Sequence, residues 1–171
     1  MPNSLLLVRY GQVPEVARFV CELPVLPVRG ERVVARTHRG LQLGTVLESV
    51  QSSSPDETDF IVERTATPED QANAASLQAR ANTEFTRWQE RIDEWGLTLE
   101  LVDLEWTLDG SKQILYVLTE RGPETTNLAL QAAAGGFGII EVQPVSAEGL
   151  VTLPSSGGGC GTGGGGCGCS H

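Results

Sequence analysis

Cys160, Cys167, Cys169 and His171 crowd into the last twelve residues, CGTGGGGCGCSH. Thiolate and imidazole are soft to borderline donors, and four of them suffice for a tetrahedral Zn²⁺ site or for part of an iron–sulfur site. The spacing C-x₆-C-x-C-x-H follows no familiar finger or ferredoxin pattern. Glycine dominates the intervening positions, so closing a site carries a conformational cost that the ligand bonds must offset. The competing reading is a flexible tail with solvent-exposed thiols. The fourth cysteine, Cys21, shares a face of an alternating run with Ala17, Phe19 and Leu23, and is expected as a small buried core thiol.

Two other groups could do chemistry. Asp103 and Glu105 stand two apart on a strand, roughly 7 Å from each other by strand rise. Paired carboxylates can do acid–base work or hold Mg²⁺, so a metal-dependent enzyme is the remote reading. They occupy the polar side of an alternating strand, and a solvated face accounts for them more simply. Arg29, Arg32, Arg36 and Arg39 cluster around Glu31. Arg32 and Arg36 share a strand face, which gives a compact phosphate contact and, with it, the alternative reading of a direct RNA- or ribosome-binding protein. No phosphate-binding loop and no nucleophile elbow occur, and His38 is the only internal histidine.

The formal charge of −10 on 171 residues disfavours generic nucleic-acid binding through counterion release. No run of 18 or more apolar residues is present, so no membrane span is expected, and the start lacks a signal-peptide core. These features predict a cytoplasmic protein with reduced thiols, in which clustered cysteines suggest metal or redox chemistry before disulfides.

The elements that must position these groups read as an α+β chain. Residues 1–66 form short strands: 5–10, 16–23, a hairpin across 31–50 with its turn near Arg39-Gly40, and 59–66. Their spacing suggests a small barrel or a strongly bent sheet. Thr67-Pro68-Glu69-Asp70 opens a helix, with Thr67 as cap. Ala74, Leu77, Ala81, Phe85, Trp88, Ile92 and Trp95 line one apolar stripe, and Gly96 closes it. Phe85 and Trp88 are expected to be its most buried members. The apolar phase then flips at Leu101–Val102, which calls for a bulge. Asp109 to Lys112 make a turn, and residues 113–119 form a strand buried on both faces. A second helix spans Pro123 to about Ala134, and a last strand spans 137–143. Helix, hairpin, helix and strand over 67–145 place both helices on one face of the sheet. After Pro144 the pattern dissolves into a Gly/Cys-rich tail, 146–171.

The stretch THRGLQLGTVLES, followed by LELVDLEWTLDGSKQILYVLTERG, carries a resemblance. Arg39, Gly40 and Gly44, then Asp103, Glu105, Asp109, Gly110, Ser111 and Lys112, resemble the motif of the polymerase-suppressor C-terminal conserved domain family, whose bacterial members are of the YaaT or RicT type. The likeness runs over about 30–145. It implies a cytoplasmic, non-catalytic adaptor or regulatory subunit with protein partners, small helical subunits and a ribonuclease among them. It further implies a complex that carries iron–sulfur clusters and assists messenger RNA maturation. In that family the cluster cysteines follow the last matching strand in a C-G-x-x-x-C-C loop. Here PVSAEGLVTLPSSGGG stands in that place, so the cofactor reading falls on Cys160, Cys167, Cys169 and His171, as an iron–sulfur cluster or Zn.

Overall fold

Alternation of apolar and polar residues builds the first half. In the computed structural model, which describes residues 4–51, 58–119 and 123–151, five strands close into a barrel. They are β1 (Ser4–Tyr10), β2 (Glu15–Cys21), β3 (Arg32–Thr37), β4 (Gly40–Val50) and β5 (Ile61–Thr65). Their order is β1-β2-β5-β3-β4, with β4 returning to β1. Every pairing is antiparallel except β2 with β5. Leu6, Val8, Phe19, Val33, Ala35, Val46 and Val62 fill the interior. Cys21 is buried among them, as its alternation predicts. Gly44 permits the closest approach in this core. A Cβ there would lie 2.3 Å from Val8 Cγ1, a separation no side chain tolerates.

Thr67 caps α1 (Pro68–Glu94) through a reciprocal capping box with Asp70. The helix lies along a second sheet of β6 (Glu100–Trp106), β7 (Lys112–Leu118), β8 (Ile139–Ser146) and β9 (Gly149–Leu150), in that order. The ladder shifts register between Leu101 and Asp103, the bulge that the phase flip demands. α2 (Pro123–Ala134) crosses between β7 and β8, which pair in parallel. Both helices cover one face, where Ala81, Trp88, Ile92, Leu104, Leu115 and Leu128 pack together. Trp88 meets Phe137 edge-on at 5.2 Å between ring centroids.

Two expectations change. Phe85 is only partly buried, although it packs against the sheet core; Ala74 and Leu77 are partly buried too, because the first turns of α1 line a cleft beside the barrel. The last strand does not end at residue 143, before Pro144. It runs on to Ser146 and turns back into β9. Pro144 is tolerated because its carbonyl points away from β7 and accepts the Val151 N–H at 3.1 Å. The missing N–H therefore faces the short edge strand and removes no bond to β7. Among the described residues no helix is long and apolar enough to cross a membrane.

The opposite face of the sheet is not solvated. Ile114, Tyr116 and Val145 form a small core there with Val13 from the β1–β2 turn. The Leu108 N–H donates to the Leu41 carbonyl at 2.7 Å, and Asn73 Nδ2 donates to the Leu108 carbonyl at 2.8 Å. The barrel is thus docked against the sheet along a seam.

Candidate functional site

The seam is built on Arg39. The two-residue turn between β3 and β4 carries it, and the Thr37 hydroxyl accepts its backbone N–H at 3.1 Å. Although it looks like an exposed turn residue in sequence, Arg39 is only 1% exposed. Its Nη2 donates to Glu15 Oε2 at 2.7 Å and its Nη1 to the Tyr116 hydroxyl at 3.3 Å. Nε points toward Glu141 Oε1 at 3.9 Å, too far for a hydrogen bond. Lys112 Nζ holds the other Glu141 oxygen at 3.0 Å. Burial alone lowers the Arg39 pKa, but Tyr116, Glu15, Tyr10 and Glu141 outweigh it and hold the guanidinium charged.

Glu105 is the acidic counterpart. Its Oε2 accepts the Tyr116 hydroxyl at 2.6 Å and the Gln12 backbone N–H at 2.9 Å, and its Oε1 accepts Gln42 Nε2 at 2.8 Å. Burial, then the Glu105 carboxylate, pushes the Tyr116 phenol well above its ordinary value. Tyr10 is raised in the same way, by burial and by Glu15. The chain Glu15–Arg39–Tyr116–Glu105–Gln42 is therefore a buried polar network that ties barrel to sheet.

The sequence-derived groups fare differently. Asp103 accepts its neighbour's N–H, from Leu104, at 2.8 Å beside the bulge. Glu105 is not on a solvated face as expected, because the β1–β2 turn and the β3–β4 hairpin cover it. The two carboxylates thus have separate tasks. Of the four arginines, Arg39 is internal, while Arg36 is exposed and pairs with Glu63 at 2.5 Å. Arg29 and Arg32 are exposed. The four do not form one surface patch. Asp109 accepts the Thr107 hydroxyl at 2.7 Å and the Ser111 hydroxyl at 2.8 Å, and these bonds lower its pKa. Gly110 adopts φ +67, as the turn predicts. Cys160, Cys167, Cys169 and His171 lie outside the described residues.

Glu15, Gln42, Tyr116 and Glu141 were not singled out by sequence. One signal was available for Tyr116: a hydroxyl inside QILYVL, buried on both faces, has to find a partner.

Residues 61–122 match the family model of the PSP1 C-terminal conserved region. This segment is similar to that family's conserved region, over about a third of the chain. The PSP1 segment begins at β5 of the barrel, takes in α1, β6 and the Asp109–Lys112 turn, and extends past β7. It is narrower than the 30–145 span of the motif likeness, and Arg39, Gly40 and Gly44 precede it. Glu105 and Tyr116 lie within it, so the network joins the PSP1 segment to the barrel strands before it. No curated protein and no solved structure matches the chain.

Proposed function

We propose that this protein is a non-catalytic adaptor or regulatory subunit that works through protein contacts in the cytoplasm. The PSP1 match carries the reading, since it supports a regulatory or adaptor-like role. The geometry agrees with it. Of the motif residues, Arg39, Glu105 and Lys112 are engaged at the seam, Asp109 and Ser111 in the turn, and Asp103 accepts a backbone N–H beside the bulge. Partners of the kind the resemblance implies are small helical subunits and a ribonuclease that matures messenger RNA. An affinity-tagged full-length chain, recovered from native lysate under gentle salt, should bring down a ribonuclease together with small helical proteins. Recovery of the chain alone would count against the adaptor reading.

The iron–sulfur part of that reading does not rest on the folded body. Among the described residues Cys21 is the sole cysteine, it is buried in the barrel, and no group of three His, Cys, Asp or Glu side chains is placed to hold a metal. The cofactor reading is placed on Cys160, Cys167, Cys169 and His171, outside the described residues. Metal and sulfide content of anaerobically purified chain, compared with a chain truncated after residue 154, tests this directly.

A further inference from the structure

The seam also opens a cleft of about 370 Å³, within the size range of small-molecule sites, roughly 300–1,000 Å³. It lies where the β1–β2 turn, the β3–β4 hairpin, the first turns of α1 and the end of β6 converge. Its chemistry is specific. Gln42 and Glu105 are in its lining and are already bonded to each other, with Glu105 also bonded to Tyr116 and the Gln12 N–H. A carboxylate so fully engaged offers little to a cation.

Three other lining side chains are unengaged. The Arg32 guanidinium and the Gln12 and Gln71 carboxamides have neither a hydrogen bond nor an ion pair among the described residues. Ala74, Ala75 and Leu77 supply apolar wall, and Trp106 adds an aromatic one. A guanidinium suits a phosphate, carboxamides both donate and accept at the edge of a polar ring, and an apolar wall suits the ring's face. We propose that this cleft binds a free nucleoside monophosphate, with its phosphate at Arg32 and its base between α1 and the β1–β2 turn. The net charge of −10 favours this small anion over a strand, whose further phosphates would meet an acidic protein.

Calorimetric titration of the full-length chain at low ionic strength, with each of the common ribonucleoside 5′-monophosphates, tests the proposal. At least one should bind one-to-one and at least ~10-fold tighter than inorganic phosphate or its own nucleoside. Arg32→Gln should weaken it about ten-fold, whereas Arg29→Gln, which removes the same charge outside the cleft, should change it by less than about two-fold. Ala75→Trp, which puts a ring into the cleft, should abolish binding. Should that variant fail to fold by circular dichroism, Gln71→Leu is used in its place and should weaken binding several-fold. Absence of binding by every monophosphate at ~5 mM overturns the proposal. So does equal weakening by Arg29→Gln and Arg32→Gln, or tighter binding of a single-stranded oligonucleotide than of any monophosphate. None of these outcomes depends on the adaptor reading.

Discussion

Tyr116 and Glu105, on adjacent strands of the sheet, are joined by a 2.6 Å hydrogen bond from phenol to carboxylate. The same phenol oxygen accepts Arg39 Nη1 at 3.3 Å, so one hydroxyl links an acid on the sheet to a base on the barrel. Tyr116→Phe keeps the ring and removes this link. It should cost about 1–3 kcal/mol, because a buried guanidinium N–H and a carboxylate oxygen each lose a partner. The shift in urea midpoint measures it, and a change under about 0.5 kcal/mol would mean that water replaces the hydroxyl at no cost.

The same tyrosine sets an alkaline limit. Its folded pKa is raised above the ordinary 10.0, as is that of Tyr10. Above pH 10 the unfolded chain therefore releases protons that the folded chain keeps, and stability falls as pH rises. Below that pH the contribution is fully present. Urea midpoints across pH 9 to 11.5 should decline more steeply for the native chain than for Tyr116→Phe. Parallel curves would refute the coupling.

Asp109 works at the opposite limit. Hydrogen bonds from Thr107 and then Ser111 lower its folded pKa below the ordinary 3.8. Its contribution is present above pH 3.8 and is lost as pH falls through the folded value. The stability difference between the native chain and Asp109→Asn should therefore be full at neutral pH and close in acid. A constant difference would show that the carboxylate's charge plays no part in the turn.

Gly44 and Gly110 should fail for different reasons. Gly44→Ala drives a Cβ into Val8 Cγ1 and should cost about 1–3 kcal/mol as overpacking. Val8→Ala in the same chain should recover part of that, giving a non-additive double-mutant cycle. Gly110→Ala has room for its Cβ but not for its φ of +67, and should cost about 1 kcal/mol with no rescue from Val8→Ala.

The aromatic cluster offers a graded test. Trp88→Ala should cost about 3–5 kcal/mol as a large-to-small change in a filled core. Phe85→Ala should cost clearly less, since that side chain is only partly buried. Equal losses would place the two rings in the same environment.

These contrasts follow what could and could not be seen in the chain. Strands, caps and the bulge at Leu101–Val102 are local, written in alternation and in Thr67-Pro68, and the structure has them where the pattern puts them. The seam is not local. Arg39 finds Glu15 across 24 residues and Tyr116 across 77, and only the closed barrel docked on the sheet makes that turn an interior one. Glu105 sits on the polar side of its own strand, as alternation says. What covers that side comes from Gln12 and Gln42, which no periodicity connects to it. Pro144 misled for a related reason, because the cost of a missing N–H depends on which neighbour it faces.

The parallel contact of β2 with β5 has its own consequence. The barrel is closed there by just two register pairs, Val20 with Ile61 and Cys21 with Val62, while its other joints are longer. A ring gives way at its shortest joint, so amide exchange should be fastest along the facing edges of β2 and β5. Cys21 stands at that joint with its thiol turned into the core. Its rate of alkylation in native protein would then clock the opening of the barrel, with the residue serving as a chemical stopwatch.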